Sequence, residues 1–310
     1  MSSDLKASVN DIQLPPNKTA VVIGATTGIG AAVARKLASA GCKRVIILGR
    51  NRGRAEVVIG RMKELSEGRI DASFVNGDIS HVRGIKDAFG SVRSALGEDQ
   101  VDYLVMCQNG PPTGTINLNE DGEGTEFTVQ VTSRFFLACL FAVHQIMMSQ
   151  TGKVMFIANP GLSYDPLDVD DLSLKRVAEK GRYRPLLTMD QSMRDSTVLD
   201  SVILELNDRF PQYSFYHVHP GLVNTELFDI HTFPFPLSYI AGLGLMIMGT
   251  TPDEFANVPM KILTNSEQFG DGDGKFWNHK LQPKPPGGWA SNQANRKKLW
   301  DKLLEMVGES

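Results

Sequence analysis

Between Gly24 and Gly30 the chain reads Gly-Ala-Thr-Thr-Gly-Ile-Gly, the strongest chemical signal in the sequence. It follows an apolar run, Thr19 to Ile23, and leads into an amphipathic stretch, AAVARKLASAG, that ends at Gly41. Glycines at such a turn let the backbone approach an anion closely, and the first turn of the helix offers unpaired N–H groups and partial positive charge. The pyrophosphate of a dinucleotide is the ligand that this arrangement serves. Two other groupings carry less. His217 and His219 alternate to one face of a strand with no third ligand at metal spacing, so they read as strand packing. Asp271-Gly-Asp273-Gly starts like a calcium loop, but Lys275 takes the next ligand position and no Glu follows at the twelfth, so it reads as a turn. No metal is expected.

The elements that must position this turn are legible in the hydrophobic pattern. Strand-length apolar runs occur at 19–23, 44–48, 72–75, 102–106, 153–158 and 214–218, separated by helix-length amphipathic segments. That alternation predicts an α/β fold of the Rossmann type, a doubly wound parallel sheet in a single domain with a C-terminal extension. Val82, Ile85, Phe89, Val92 and Leu96 recur at spacings of three and four, one apolar stripe for covering the sheet. Glu126 to Met148 is apolar on nearly all sides, which predicts a helix with one face on the sheet and another free to meet a second subunit as a homo-oligomer. In TPDE (251–254) the Thr N-cap, Pro at N1 and Glu at N3 predict a helix start. GKFWN (274–278) is strand-like, and Leu299, Trp300, Leu303, Leu304 and Val307 make the apolar face of a terminal helix. The expected division is a lead-in over 1–18, a dinucleotide-binding domain over 19–280, and a Pro/Gly linker with terminal helix over 281–310.

The GxxxGxG spacing resembles that of the short-chain dehydrogenase/reductase family, and further landmarks follow in order over about residues 19 to 280. Asp78 and Ile79 in Asn-Gly-Asp-Ile look like the family's adenine-contacting segment, and Gln108-Asn109-Gly110 stands where the family has its NNAG turn. His219-Pro220-Gly221-Leu222-Val223-Asn224-Thr225 is similar to the family's PG…T segment, which implies that Pro220, Gly221, Val223 and Thr225 hold the nicotinamide carboxamide. The resemblance implies a nicotinamide cofactor cradled by Gly24, Thr26, Thr27, Gly28, Ile29 and Gly30. Its type follows from the end of the second strand: a ribose 2′-OH needs a carboxylate there, whereas a 2′-phosphate needs positive charge and no acid. The chain has Gly49-Arg50-Asn51-Arg52, with Arg54 beyond, so NADP is the expected cofactor, with Arg50 and Asn51 beside its 2′-phosphate and Arg52 as a helper.

The resemblance also implies a Tyr acid/base, a Lys four residues later on the same helix face, a Ser that holds the substrate oxygen and an Asn that orders the proton path. None of them is present. The six tyrosines, 103, 164, 183, 213, 216 and 239, are followed at +4 by Cys107, Asp168, Leu187, His217, Pro220 and Leu243. The Tyr and Lys positions fall at Met189 and Met193, or one residue earlier at Thr188 and Ser192; the Ser position maps to Asn159 and the Asn position to Thr132. A preactivated acceptor needs less acid assistance, so positioning can still carry hydride transfer. The candidates for a substitute site are Tyr164 as the acid, Asp165 as a second proton donor, Asn159 as an oxygen-binding donor and Arg134 as a holder of an oxyanion or carboxylate.

Of 310 residues, 42% are hydrophobic, and 32 Lys+Arg against 35 Asp+Glu leave a net charge of −3. That balance disfavours nucleic acid and anionic membrane as partners. Three scattered cysteines, 42, 107 and 139, make no disulfide framework and point to a reducing, cytoplasmic setting. The lead-in has neither an apolar signal region nor an Arg-rich amphipathic one. The apolar stretch Phe233 to Met248 is too short and too broken by Pro and Gly to be an integral membrane span, and reads as part of a lid near 226–250 over an apolar small-molecule substrate. The expectation is an NADP(H)-dependent oxidoreductase that reduces a carbonyl, enone or imine with a non-standard active site. The alternatives are a catalytically silent NADP-binding sensor or scaffold, and a cofactor-retaining cyclase or isomerase. The ending ELNDRFPQYSFYHVHPGLVNT is similar to those of fungal reductases of secondary metabolism.

Overall fold

The structure is a computed structural model that describes residues 12–148, 151–224, 249–269 and 275–309. Thr225, the lid segment 226–248, the Asp271-Gly-Asp273-Gly turn and the first eleven residues of the lead-in lie outside the described residues.

Seven parallel strands form one sheet in the order β3-β2-β1-β4-β5-β6-β7. They are β1 (Thr19–Ile23), β2 (Arg44–Gly49), β3 (Asp71–Asn76), β4 (Tyr103–Met106), β5 (Lys153–Ile157), β6 (Ser214–Val218) and β7 (Phe276–Trp277). The expected doubly wound arrangement is therefore present. The strands read as unbroken apolar runs because both faces are covered: Val21 and Ile23 of β1 pack on one side, Ala20 and Val22 on the other.

One layer holds α1 (Gly28–Ser39) and α2 (Arg52–Leu65); the other holds α3 (Val82–Leu96), α4 (Thr125–Val143) and, after the short α5 (Lys175–Glu179), the 26-residue α6 (Arg184–Arg209). Helix α3 buries Ile85, Phe89, Val92 and Leu96, the stripe its periodicity predicts. The His81 imidazole caps it by accepting from the Gly84 N–H at 3.0 Å, and Gly97, with φ of 65°, ends it. Beyond β6 come α7 (Pro252–Phe255), α8 (Asn257–Thr264) and α9 (Ser266–Phe269), then β7, α10 (Gly288–Ser291) and α11 (Gln293–Met306). The capping box at Thr251 and Glu254 forms as expected, but its helix lasts only four residues before α8 takes over.

Helix α4 is long and apolar enough to cross a bilayer, yet 72% of its apolar window is buried inside this protein. Its sequence suggests a face left over for a second subunit. In the structure Phe135 of this helix meets the Trp300 ring of the terminal helix edge-on with centroids 5.0 Å apart, Phe141 meets Phe89 of α3 at 5.4 Å, and Val143 stays exposed. Leu299, Trp300 and Leu303 of α11 belong to the same core. Trp300 also carries the Arg209 guanidinium over its ring at 4.4 Å. Trp300→Ala is expected to cost about 3–5 kcal/mol of stability in urea unfolding, the range for removing a buried aromatic. A loss below about 1 kcal/mol, the size of an ordinary surface change, would mean that α11 does not fold with the sheet.

Candidate active site

The strand order reverses between β1 and β4, and the connections at that point run to opposite sides of the sheet. A crevice opens there at the carboxyl ends of the strands, where ligands of such sheets bind. It is a cleft of about 440 Å³ lined from the ends of six of the seven strands: Gly24 to Gly30 after β1, Arg50 after β2, Asp78 and Ile79 after β3, Gln108 and Asn109 after β4, Asn159 after β5, and His219 to Val223 after β6.

Two glycines make the first turn possible. Gly24 has a φ of 74°, and a Cβ on it would stand 2.5 Å from the Gln108 backbone nitrogen. A Cβ on Gly30 would stand 2.3 Å from the Gly24 carbonyl oxygen. No side chain fits either place, so the N-terminus of α1 is pressed against the ends of β1 and β4 with its backbone facing the cleft. Burial works against the Asp78 carboxylate, but hydrogen bonds from Ser80 and the charge of Arg50 outweigh it and hold the carboxyl below its usual range. Arg50 and Asp78 thus share one electrostatic environment at the mouth. A second hollow continues from Thr26, Thr27 and Gly28 past Arg35 and Arg54, so cationic side chains other than Arg50 also border this end. Arg52 points elsewhere, over the Phe74 ring at 5.5 Å.

Most residues that the sequence proposes for the cofactor meet in this cleft: Gly24, Thr26, Thr27, Gly28, Ile29, Gly30, Arg50, Asp78, Ile79, Gln108, Asn109, Pro220, Gly221 and Val223 line it. Asn51 and Gly110 are not in the lining. The Asn51 side chain caps α2 by accepting from the Arg54 N–H at 2.9 Å, and the Gly110 N–H donates to Gln130 Oε1 at 3.2 Å. These residues fit a dinucleotide: a backbone cradle that excludes a Cβ, a cation beyond β2 and no carboxylate next to it in the chain.

The substitute catalytic residues separate. Asn159 lines the cleft; Tyr164, Asp165 and Arg134 are not among the lining residues. Tyr164 packs its ring on the core under α6, and its N–H donates to Thr197 Oγ1 at 2.7 Å. Burial, followed by the charge of Asp190, raises its phenol above the ordinary value. The Arg134 guanidinium is fully enclosed and donates to the carbonyls of Gln130, Gln108 (2.5 Å) and Ile157 (3.0 Å). Burial lowers it to about 10, so it remains a cation at neutral pH. It joins α4 to the ends of β4 and β5, the two strands flanking the cleft. Within α4, Thr128–Thr132 forms a π-helical turn directly before Arg134.

Sequence reasoning reached Ser192 as one of two registers on α6 but missed Asp195, Ser196 and Leu199 on the same face. Ser192, Asp195, Ser196 and Leu199 line the cleft at spacings of three and four, so the i, i+4 pair facing the site is Ser192 and Ser196, while Met189 is exposed. The helical period of that stripe was the available signal; its register depended on where the long segment between β5 and α6 ends. Asp195 is the acidic group of this face. Burial pushes its carboxyl up to about 6 against the attraction of Arg194, whose Nε donates to Oδ1 at 2.8 Å, and of Arg134, with Glu126 adding to the rise. His219, also in the lining, is lowered by burial to about 4, with Lys284 contributing, and is neutral at pH 7. Sequence reasoning also missed Lys284, whose ammonium donates to Asn159 Oδ1 at 3.0 Å across 125 residues of chain.

A family model described as short chain dehydrogenase matches residues 18–161. The oxidoreductase AN1596 of Emericella nidulans is 28% identical over 238 residues, 76% of this chain and 66% of its own length, so the chain spans just under two thirds of that relative. Human retinol dehydrogenase 13 is 24% identical over 297 residues, covering 94% of this chain and 85% of the relative. Among solved structures, the angucycline C-6 ketoreductase LanV with bound NADP superposes with a TM-score of 0.60 at 17% identity, over 86% of this chain and 97% of that one, a likeness of fold. The sequence matches support an oxidoreductase.

Arg134→Met is expected to lower stability by roughly 2–5 kcal/mol, because it strips buried carbonyls of their donor, at roughly 1–3 kcal/mol for each one left unsatisfied. Thermal or urea unfolding measures this. A near-neutral result would show that the carbonyls find other partners and that the guanidinium does not hold the strand ends.

Proposed function

We propose that this chain, which belongs to the short-chain dehydrogenase/reductase family, is an NADP(H)-dependent reductase of an apolar small molecule carrying a carbonyl, enone or imine. The observation that carries the reading is the cleft itself. The glycine turn, Arg50 and the segment after β6 surround one cavity, and α6 brings a protonatable carboxyl to it. The bound dinucleotide would supply hydride to the substrate. Everything else falls to this chain's own residues.

The N–H groups of the Gly24–Gly30 turn would hold the pyrophosphate, and Arg50 would take the 2′-phosphate through charge-assisted hydrogen bonds. No acid adjoins Arg50 in the chain, where Arg50 and Asn51 follow Gly49 at the end of β2, and the nearby Asp78 is held by Ser80. Asn159 donates to the substrate oxygen, and Val129, Leu199 and Leu222 give the lining its apolar part. We assign proton delivery to Asp195 rather than to Tyr164, because Asp195 belongs to the lining and is raised close to the working pH, where a general acid is most effective. The described hydrogen bonds use only its Oδ1.

Calorimetric titration with NADP+ and NAD+ tests the cofactor. Arg50→Ala should weaken NADP+ by about 10- to 100-fold, the worth of one or two charge-assisted bonds, and leave NAD+ nearly unchanged. Equal losses for both would contradict the role of Arg50. Following NADPH absorbance against a panel of ketones, enones and imines tests the reaction, and binding without turnover of any acceptor would favour a sensor or scaffold.

The pH dependence follows from the sign of the Asp195 shift. The protonated carboxyl is the donor, and it is populated below about pH 6 and lost above. The rate of reduction should therefore be flat at acid pH and fall about tenfold per pH unit above that point. Asp195→Asn should remove this limb together with most of the rate, whereas Tyr164→Phe should keep both. The opposite outcome would return the proton donor to Tyr164.

A further inference from the structure

The segment after β7 backs the loop that carries Asn159, a residue of the cleft lining. Its path is fixed by a fully buried carboxylate on α6: Asp200 Oδ2 accepts from the Gly161 N–H and from the Gly287 N–H, both at 2.9 Å, while Oδ1 bonds His217 Nδ1 at 2.8 Å. One side chain thus pins the loop after β5, the C-terminal segment and β6. The fit between the two segments is close. A Cβ on Gly161 would stand 3.0 Å from the Pro285 carbonyl oxygen and 3.1 Å from Lys284 Cε, and one on Gly287 would stand 2.2 Å from the Leu162 carbonyl oxygen. The Trp289 N–H donates to Ser163 Oγ at 3.1 Å, and the Lys284 N–H donates to the Phe276 carbonyl at 3.0 Å. Lys284 is therefore held by backbone on both sides of its own position, with its half-buried side chain lying along the loop that carries Asn159.

The Lys284 ammonium donates to Asn159 Oδ1 at 3.0 Å. A carboxamide can be turned either way, but an ammonium has three donors and no acceptor, so only the orientation with oxygen toward Lys284 is favourable. The Asn159 NH₂ then belongs to the side of the amide away from Lys284, on a residue that lines the cleft. We infer that Lys284 is a positioning residue for the reaction: it locks the Asn159 amide with its N–H donors presented to the substrate oxygen and polarises them by its charge. This rests on the reductase reading given above. The charged and titratable groups nearest the ammonium are Asp200, His217 and His219.

The test compares wild type with Lys284→Met, Lys284→Arg, Asn159→Ala and the Lys284→Met/Asn159→Ala double variant. NADP+ affinity, thermal unfolding and steady-state NADPH oxidation against the acceptor panel are measured for each. Lys284→Met should keep NADP+ affinity within about twofold while kcat falls about 10- to 100-fold, the scale of a misplaced binding group. Lys284→Arg should recover most of the loss. The double variant should be little slower than either single one, and its loss of Tm should be less than the sum of the two single losses, because both remove the same interaction. Additive losses in Tm would overturn the pairing without reference to activity. Full kcat in Lys284→Met, or kinetic losses that multiply, would overturn the positioning role while leaving the reductase reading intact. Wild type that binds NADP+ but reduces no acceptor would overturn the reductase reading, and this role of Lys284 with it.

Discussion

The Arg134 guanidinium is the interaction on which the site depends. A parallel sheet leaves the carbonyls at its carboxyl edge without strand partners, and next to the switch point β4 and β5 end side by side at the cleft. Arg134 satisfies the carbonyls of Gln108 and Ile157 together, from a helix whose own turn it also bonds through Gln130. A rigid planar fork with five donors suits this task, and a lysine could not span it in the same way. Held open in this manner, the crevice presents Gln108 and Asn109 on one wall and Asn159 on the other, with the Gly24 turn pressed against the end of β4.

A second buried charge, Asp200, plays the corresponding part on the far wall. It lies in the middle of α6 and takes two backbone N–H groups and an imidazole, so its desolvation is offset by three bonds from three separate stretches of chain. This carboxylate holds the C-terminal segment against the loop after β5, and α11 then brings Trp300 against Phe135 of α4. The segment that reads as a linker is thus held on both sides: Lys284 and Gly287 meet the cleft loop, while Trp289 and Trp300 belong to the core. The same economy places Asp195 beside Arg194 at the inner end of the site, where burial rather than a neighbouring acid sets its protonation.

The strands, the order of layers and the cofactor cradle were legible because their signals are local. The apolar runs of β1, β2 and β4, the stripe of α3, the Gly24–Gly30 turn and the Thr251 capping box each follow from residues within one turn or one strand of each other. The lining of the cleft was legible only in part. Asn159 follows its strand directly and lies in the lining, whereas Asp195 comes after the long segment between β5 and α6, and Tyr164, attractive as a phenol near β5, packs on the core beneath α6. Arg134 was singled out for its charge, but nothing near it in the chain tells that backbone carbonyls rather than a substrate would take its donors.

From the sequence alone came the family of fold, the anion-binding turn, the positive charge beyond β2 and the absence of the usual Tyr-x-x-x-Lys pair. Each depends on residue type and short spacing, which the backbone enforces without help. Only the tertiary structure decided that Phe135 of α4 meets Trp300 of the terminal helix, that α6 turns Ser192, Asp195 and Ser196 toward the cleft, and that Lys284 meets Asn159. Those are contacts between segments tens to more than a hundred residues apart, and hydrogen bonding and packing choose among such pairings only once the whole sheet is assembled.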